Sequence, residues 1–372
     1  MKILVVGAGL TGCTLGRLLK ERGHEISMIE KENHVGGICY TKTSPNGILY
    51  EPYGGHAFHT KEKRIANFVQ SFSEFNDYTH RKGIYINDKL RPFPISKDNI
   101  IEMEDAEKIL AELKERPNQP DLTNFETYAI SRFGRTLYEL FMYNYSKKMW
   151  GIEPKELTTE YIQNRIELKD TVSNLFEDKF QGVPKNGYTR FFEKMIEDIP
   201  LELNTSVFNT SLFDLILYSG RIDELLGYKF GSLQHRSLHF EYSESDAWEN
   251  DEYGSINLPQ HEKYIRKVNF RIYRQRSLEK NWIQYQEPIP FDKTNTPLYP
   301  IYTKRNLDLF DKYLTEVCKS DTIIPVGRLG LYKYLEMGQA ISLAMNMIPL
   351  IEDWKHLKQT NRYNKIKKLL KN

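Results

Sequence analysis

The sequence predicts an α/β protein: a Rossmann-like unit at the N-terminus, an α-helical insert after it, and an antiparallel sheet beyond the insert. Three observations lead there. The chain opens on an apolar run, Lys2-Ile3-Leu4-Val5-Val6, that feeds a glycine turn, Gly7-Ala8-Gly9-Leu10-Thr11-Gly12, and Glu30 stands eighteen residues past the last glycine. From Ile100 to about Trp150 apolar residues recur at helical spacing, as with Ile109, Leu110 and Leu113, and then Phe133, Leu137, Leu140 and Phe141. From about Leu238 to Tyr302 short runs rich in Tyr, Phe, Ile and Val alternate with Asn, Gly and Pro, the pattern of short strands and turns.

In chain order, strand 2–6, the glycine turn and the helix it opens form a site for a pyrophosphate. Absent side chains let the anion reach backbone N–H groups and the positive end of the helix dipole. Glu30 closes a second strand, Glu25 to Glu30, where a carboxylate accepts hydrogen bonds from ribose hydroxyls. A tight strand-to-helix turn without ligand is the plain alternative. A glycine pair then follows in Asn33-His34-Val35-Gly36-Gly37, and it lets a second stretch of backbone close over a diphosphate, which points to FAD; an ordinary Gly-Gly turn is the alternative. Gly7, Gly9, Gly12, Glu30, Lys31, Gly36 and Gly37 are the candidate FAD contacts of this unit. A helix over Lys61 to Phe72 continues it, and Lys114 to Thr123, with Pro117 and Pro120, reads as a loop within the helical insert.

The unit supplies too few strands for a dinucleotide fold, so later segments must rejoin it. The C-terminal part provides a strand, a glycine turn at Gly327-Arg328-Leu329-Gly330 and an apolar helix from Gln339. The expected division is an FAD-binding domain over 1–75, rejoined by about 190–235 and 318–372; a helical domain over 96–170; and an antiparallel substrate domain built from 76–95 and 236–317.

Composition narrows the function classes. At 372 residues the chain suits two or three domains. Its 52 basic and 50 acidic side chains balance to +2, which leaves no nucleic-acid footprint. Cys13, Cys39 and Cys318 show neither metal nor redox spacing and read as buried thiols. There is no leader ahead of the first strand and no apolar stretch long enough for a bilayer, so a cytoplasmic protein is expected. Seven basic residues between Lys355 and Lys371 read as a solvated helix face, with attraction to an anionic membrane surface as the alternative.

Further motifs stand along the chain: Tyr53-Gly54-Gly55-His56-Ala57-Phe58-His59-Thr60, Tyr145-Ser146-Lys147-Lys148-Met149-Trp150-Gly151, Asn164-Arg165-Ile166, Gln181-Gly182-Val183-Pro184, Arg236-Ser237-Leu238, Tyr299-Pro300, and Gly327-Arg328-Leu329 through Tyr334. His56 and His59 suggest a metal, but no Cys or carboxylate stands near them at ligand spacing, and no metal site is expected. Tyr145 and Trp150 are core aromatics or pocket walls. In the order and spacing of these motifs the chain resembles the UDP-galactopyranose mutases over nearly its whole length. Those flavoenzymes interconvert the pyranose and furanose rings of nucleotide-bound galactose, the source of galactofuranose for cell-surface polysaccharides.

The resemblance implies site residues. It puts Gly55, His56, Arg328 and Met337 against the flavin, with His56 at its face, and it lines a substrate pocket with Phe141, Tyr145 and Trp150. It makes Arg165, on a lid spanning Glu153 to Ile166, and Arg266 the diphosphate-binding arginines, Arg236 a third substrate arginine, and Tyr299 and Tyr334 the hydroxyls that reach the diphosphate. Guanidinium forks suit an anion of about two charges better than point charges do. Arg165, Arg266 and His56 carry the catalytic expectation. The implied reaction uses the N5 of reduced FAD as nucleophile at the anomeric carbon, so a flavin N5–sugar adduct links the two ring forms with no net redox; the implied assembly is a homodimer. Two rivals share the glycine motifs: a flavin amine oxidase or desaturase, against which the arginines and tyrosines argue, and a flavin-binding scaffold without chemistry.

One stretch departs from the family. Between Arg165 and Gln181 the chain is one residue shorter than in bacterial members. Leu175 and Phe176 fall where a tyrosine is expected at the substrate, and Phe180 replaces another. UDP-N-acetylgalactosamine and a dTDP-linked deoxysugar therefore stand beside UDP-galactose as substrates.

Overall fold

The computed structural model describes all residues except 162–167, 169, 172–173, 275–276 and 372. Its first layer is a parallel sheet of five strands in the order Ile323–Pro325, Leu215–Tyr218, Lys2–Val6, Glu25–Ile29, Leu201–Glu202. Every neighbouring pair runs parallel. Ile3, Leu4, Val5, Leu215, Ile216 and Leu217 are all buried, the unbroken apolar run of a strand covered on both faces. Helices Leu10–Glu21, Gly187–Met195 and Met337–Asp353 share one core with this sheet. A Cβ on Gly12 would lie 2.0 Å from the carbonyl oxygen of Gly7, so that glycine is what lets the first helix start so close to the strand.

Helix Lys304–Val317 belongs to this core and not to the sheet domain expected over 236–317. Leu309, Phe310, Tyr313, Leu314 and Val317 form a helical stripe buried with the parallel-sheet residues. The last long helix begins at Met337 rather than Gln339, because Gln339 closes a capping box with Glu336.

The second sheet has seven strands, in the order Tyr299–Pro300, His235–Ser245, Asn281–Pro290, Arg266–Asn269, Ser255–Asn257, Lys82–Ile86, Lys89–Phe93. It is not wholly antiparallel. Ser255–Asn257 pairs in parallel with Lys82–Ile86, since the two strands are joined by a long excursion through the helical insert and not by a hairpin. Lys82–Ile86 and Lys89–Phe93 form a hairpin whose two turn residues, Asn87 and Asp88, both take positive φ.

The helical insert packs on the seven-stranded sheet, with Phe125, Phe133, Leu137, Phe141 and Trp150 buried in one core with Ile84, Ile86 and Leu238. Its helix Tyr143–Trp150 is preceded by a π-helical turn, Tyr138–Met142. A small antiparallel pair, Phe58–Thr60 with Phe180–Gly182, ties the end of the Tyr53–Thr60 motif to the Gln181–Pro184 motif.

Cys13, Cys39 and Cys318 are buried and unpaired, and burial pushes Cys39 and Cys318 up to about 12, which keeps their thiols protonated and inert. Of the basic C-terminal residues, Arg362 is buried and donates to the carbonyls of Trp354, Cys318 and Ser320, while Lys355, Lys365 and Lys367 pair with Asp214, Asp353 and Asp311. That helix is held to the fold by its cations. No helix among the described residues is long and apolar enough to cross a membrane.

Candidate active site

The site has two halves, and the first is a backbone cradle. Helix Leu10–Glu21 starts from Gly9 with no side-chain cap and no acid in its first turn, which leaves its leading N–H groups to whatever anion lies before them. The second glycine turn lies directly against it: Gly36 donates to the Ala8 carbonyl at 2.8 Å, and a Cβ on Gly37 would come 3.2 Å from the Gly9 Cα. Gly36 has φ +95°, and a Cβ there would stand 2.7 Å from Phe192. Glu30 is buried at the end of its strand, accepting the Ala8 N–H at 2.7 Å and the Glu32 N–H at 3.0 Å. Two glycine turns face to face, an uncapped helix and a fixed carboxylate fit a dinucleotide such as FAD. Lys31, next to Glu30, is exposed and pairs with Glu32 at 3.7 Å.

If that carboxylate holds the ribose, Glu30→Ala weakens flavin retention about tenfold to a hundredfold, the worth of a hydrogen bond to a charged group. Flavin absorbance per mole of protein after dialysis measures it, with catalysis by the flavin-loaded fraction largely kept.

The second half gathers side chains from five elements. The Tyr53–His56 loop lies flat on the seven-stranded sheet: a Cβ on Gly55 would be 3.0 Å from Tyr273 and Val268, and one on Gly54 3.3 Å from Gln286. The His56 carbonyl accepts the Tyr188 hydroxyl at 2.8 Å, and its Nδ1 is buried without a hydrogen-bond partner among the described residues. Burial first, and then the positive field of Arg328, Arg266 and Arg274, pushes His56 down to about 3, so its ring is neutral under any working condition. Behind the loop, Arg274 and Glu51 form a fully enclosed ion pair; burial still raises Glu51 above the ordinary carboxylate range.

Arg266, at the head of its strand, donates through Nε to Gln286 at 3.1 Å. Burial would lower its affinity for a proton, but Tyr145, Tyr299, Tyr273 and Tyr334 around the guanidinium more than offset this. Tyr299 and Tyr334 stack at 5.7 Å and 11°, Trp150 meets Tyr299 edge-on at 6.3 Å, and Arg328 lies 4.5 Å over the Tyr334 ring while donating to the Leu335 carbonyl at 2.8 Å. The structure thus brings together His56, Tyr145, Trp150, Arg266, Tyr299, Arg328 and Tyr334.

Other expected residues border this group but are engaged by the fold or lie outside it. Arg236 is buried and donates to the carbonyls of Met149 (2.8 Å) and Lys148 (3.2 Å), so it closes the end of helix Tyr143–Trp150 and sets Trp150. Phe141 is buried in the core of the insert, and Met337 is the buried first residue of its helix. Arg165 lies outside the described residues. Phe180 packs between Phe58 (5.9 Å) and Phe75 (5.3 Å), and Phe176 stacks on His59, so neither ring takes the pocket place that the missing tyrosines suggested. Gln286, Asn257 and the Glu51–Arg274 pair went unnoticed in the sequence; single polar residues within strands look solvent-facing until the pairing is known. Asn257, directly across from Arg266, is buried with its amide oxygen unpartnered among the described residues. The described His and carboxylate groups close enough for a metal, His239, Glu241 and Glu287, surround Lys263, which pairs with both acids.

Comparisons with known proteins agree with this geometry. A family model described as UDP-galactopyranose mutase matches residues 140–334, and one for an NAD(P)-binding Rossmann-like domain matches 5–72. The chain is 30% identical to the dTDP-fucopyranose mutase of Escherichia coli, covering 94% of this chain and 98% of that protein. It is 32% identical to the UDP-galactopyranose mutase of Mycoplasma pneumoniae, over 92% and 94%. A crystal structure of a reduced UDP-galactopyranose mutase superposes with a TM-score of 0.80 at 15% identity, covering 99% of this chain and 98% of that one, which shows a common fold.

Proposed function

The chain belongs to the UDP-galactopyranose mutase family, and from that premise we propose that it interconverts the pyranose and furanose forms of a nucleotide-diphosphate sugar, UDP-galactose first, with reduced FAD as cofactor. The observation that supports this most is Arg266, a partly buried cation held by Gln286 among tyrosines, in a chain whose glycine cradle fits a dinucleotide. When bound, reduced FAD supplies an electron-rich nitrogen, N5, as the nucleophile for the anomeric carbon and keeps its electrons over the cycle.

The chain's own residues hold and shape. Arg266, with Arg165 as its expected partner, neutralises the diphosphate while its bond to the sugar breaks. Tyr299 and Tyr334 offer hydroxyls to the same phosphates, and their stacking fixes both rings at once. Arg328, anchored on the Leu335 carbonyl, sets a positive charge that favours electron density on a reduced ring. His56 contributes a neutral edge and a fixed backbone, because its imidazole does not gain a proton there. Closing the pocket with aromatic walls keeps water from the opened sugar. A cytoplasmic homodimer completes the proposal.

A second sugar is favoured by one observation: a dTDP-fucopyranose mutase is as similar to this chain as the galactose enzymes are. Dithionite-reduced enzyme given UDP-galactofuranose, dTDP-fucofuranose and UDP-N-acetylgalactosamine in its furanose form, with products separated by chromatography, decides. The expected result is fastest conversion of UDP-galactofuranose and a larger thermal stabilisation by UDP than by dTDP or GDP. Faster turnover of the fucose substrate would transfer the assignment to a deoxysugar, and oxidation of an amine or apolar substrate with reduction of the flavin would refute a mutase.

A further inference from the structure

His59 sits at the centre of a half-buried polar cluster that the proposed chemistry does not use. It lies on strand Phe58–Thr60, three residues past His56. Its Nδ1 is 2.5 Å from Asp178 Oδ2 and its Nε2 is 3.3 Å from Glu336 Oε2. Phe176 stacks on the ring at 3.5 Å and 12°, and 13% of the side chain is exposed. A neutral imidazole has one N–H and one lone pair, so it donates to a single carboxylate and turns its lone pair toward the other; the imidazolium donates to both.

Three segments meet on this ring. One is the strand that follows the flavin loop. Another is the bend Phe176–Asp178, whose continuation, Phe180–Gly182, pairs with that strand. The last is Glu336, N-cap of helix Met337–Asp353, which follows directly on Tyr334 and on Leu335, whose carbonyl anchors Arg328. Contact is close, since a Cβ on Gly338 would come 2.9 Å from the His59 carbonyl oxygen.

We propose that the His59 imidazolium is a positioning residue: bridging Asp178 and Glu336, it locks the Phe176–Asp178 bend to the start of helix Met337–Asp353 and so fixes Tyr334 and Arg328 for the ring exchange. The catalytic part of this inference rests on the proposed function, and the bridge itself does not. Burial pulls His59 toward neutrality, but the bonds to Glu336 and Asp178 outweigh it and raise its pKa above the ordinary value. While the carboxylates are ionised, the bridge is therefore complete below that raised value and is lost as pH rises through it. Of the other groups nearby, His80 lies beyond Phe176 and is held well below its ordinary value by burial, Lys82, Arg266 and His59, so it stays neutral. Arg64, on the helix Lys63–Gln70 packed beside the strand, is engaged by Glu62 and Ser342.

The test is a titration of holoenzyme carrying isotope-labelled histidine, followed by NMR, with the His59→Gln spectrum assigning the signal. His59 should stay doubly protonated to a higher pH than free histidine does, and Asp178→Asn and Glu336→Gln should each bring its titration down. In steady-state assays His59→Gln should lower kcat about tenfold with KM within about twofold, and should abolish the alkaline fall in kcat that wild type shows across the His59 titration. A singly protonated His59 at neutral pH, or superimposable kcat–pH profiles for wild type and variant, overturns the proposal. Should His59→Gln fail to fold, Glu336→Gln serves through the same two readouts. If wild type converts no nucleotide furanose, the proposed function fails, and the NMR titration alone decides the bridge.

Discussion

Replacing Arg266 by alanine is expected to lower kcat/KM for UDP-galactofuranose by about two to four orders of magnitude, the cost of removing one partner from a desolvated charge pair. The size follows from the surroundings. Arg266 is partly buried, its Nε is engaged by Gln286, and tyrosines are its principal electrostatic neighbours among the described residues. A guanidinium so placed is neutralised when a diphosphate arrives, and the alanine variant leaves that anion facing uncharged phenols. Arg266→Lys should recover only part of the loss, since an ammonium keeps the charge but not the fork. Flavin content should be unchanged in both, because the glycine cradle is built from other segments. Near-wild-type kinetics in Arg266→Ala would place the diphosphate elsewhere and remove the main support for the proposed substrate class.

How much of this is legible in the sequence depends on how local each signal is. The glycine turn and Glu30 can be read because strand, turn and helix are consecutive, and their spacing encodes their contact. Helix Lys304–Val317 cannot be placed from its sequence: its apolar stripe says that it is buried and not against which sheet. The same limit hides the parallel pairing of Ser255–Asn257 with Lys82–Ile86, whose partners are separated by the whole insert. Arg236 shows the limit for single charges. An arginine in a motif suggests an anion, yet this one serves two main-chain carbonyls at the end of a helix. Likewise Phe176 and Phe180 read as hydroxyls missing from a pocket, and the fold makes one a lid on His59 and the other part of a phenylalanine cluster. Glu336 is the reverse case: a surface-type residue ahead of a helix that caps it and meets a half-buried histidine.

Electrostatics also limits what the pocket can do by itself. His56 is held neutral by burial and by three arginines, and Glu51 is enclosed with Arg274. Among the described residues at the pocket, then, no side chain is set up as a strong acid or base near neutral pH. What the pocket offers is positive charge, phenols and aromatic walls, a set suited to stabilising a leaving diphosphate.

In the proposed function the nucleophile comes from the bound cofactor, and this gives the other large expected effect: purified protein should be yellow and catalyse ring interconversion only when its flavin is reduced. Dithionite-reduced enzyme should convert UDP-galactofuranose, while fully oxidised enzyme, kept free of reductant, should fall by at least about three orders of magnitude, the scale on which loss of a covalent catalyst separates from residual binding and electrostatics. Arg328 links this to the structure. Its guanidinium is pinned by the Leu335 carbonyl and the Tyr334 ring, so its charge cannot swing away when the flavin changes state. Arg328→Met should then make the flavin harder to reduce, shifting its midpoint potential downward while UDP still binds through Arg266. Turnover by oxidised enzyme at an undiminished rate would mean that a protein side chain supplies the nucleophile, and would overturn the proposed role of the reduced flavin.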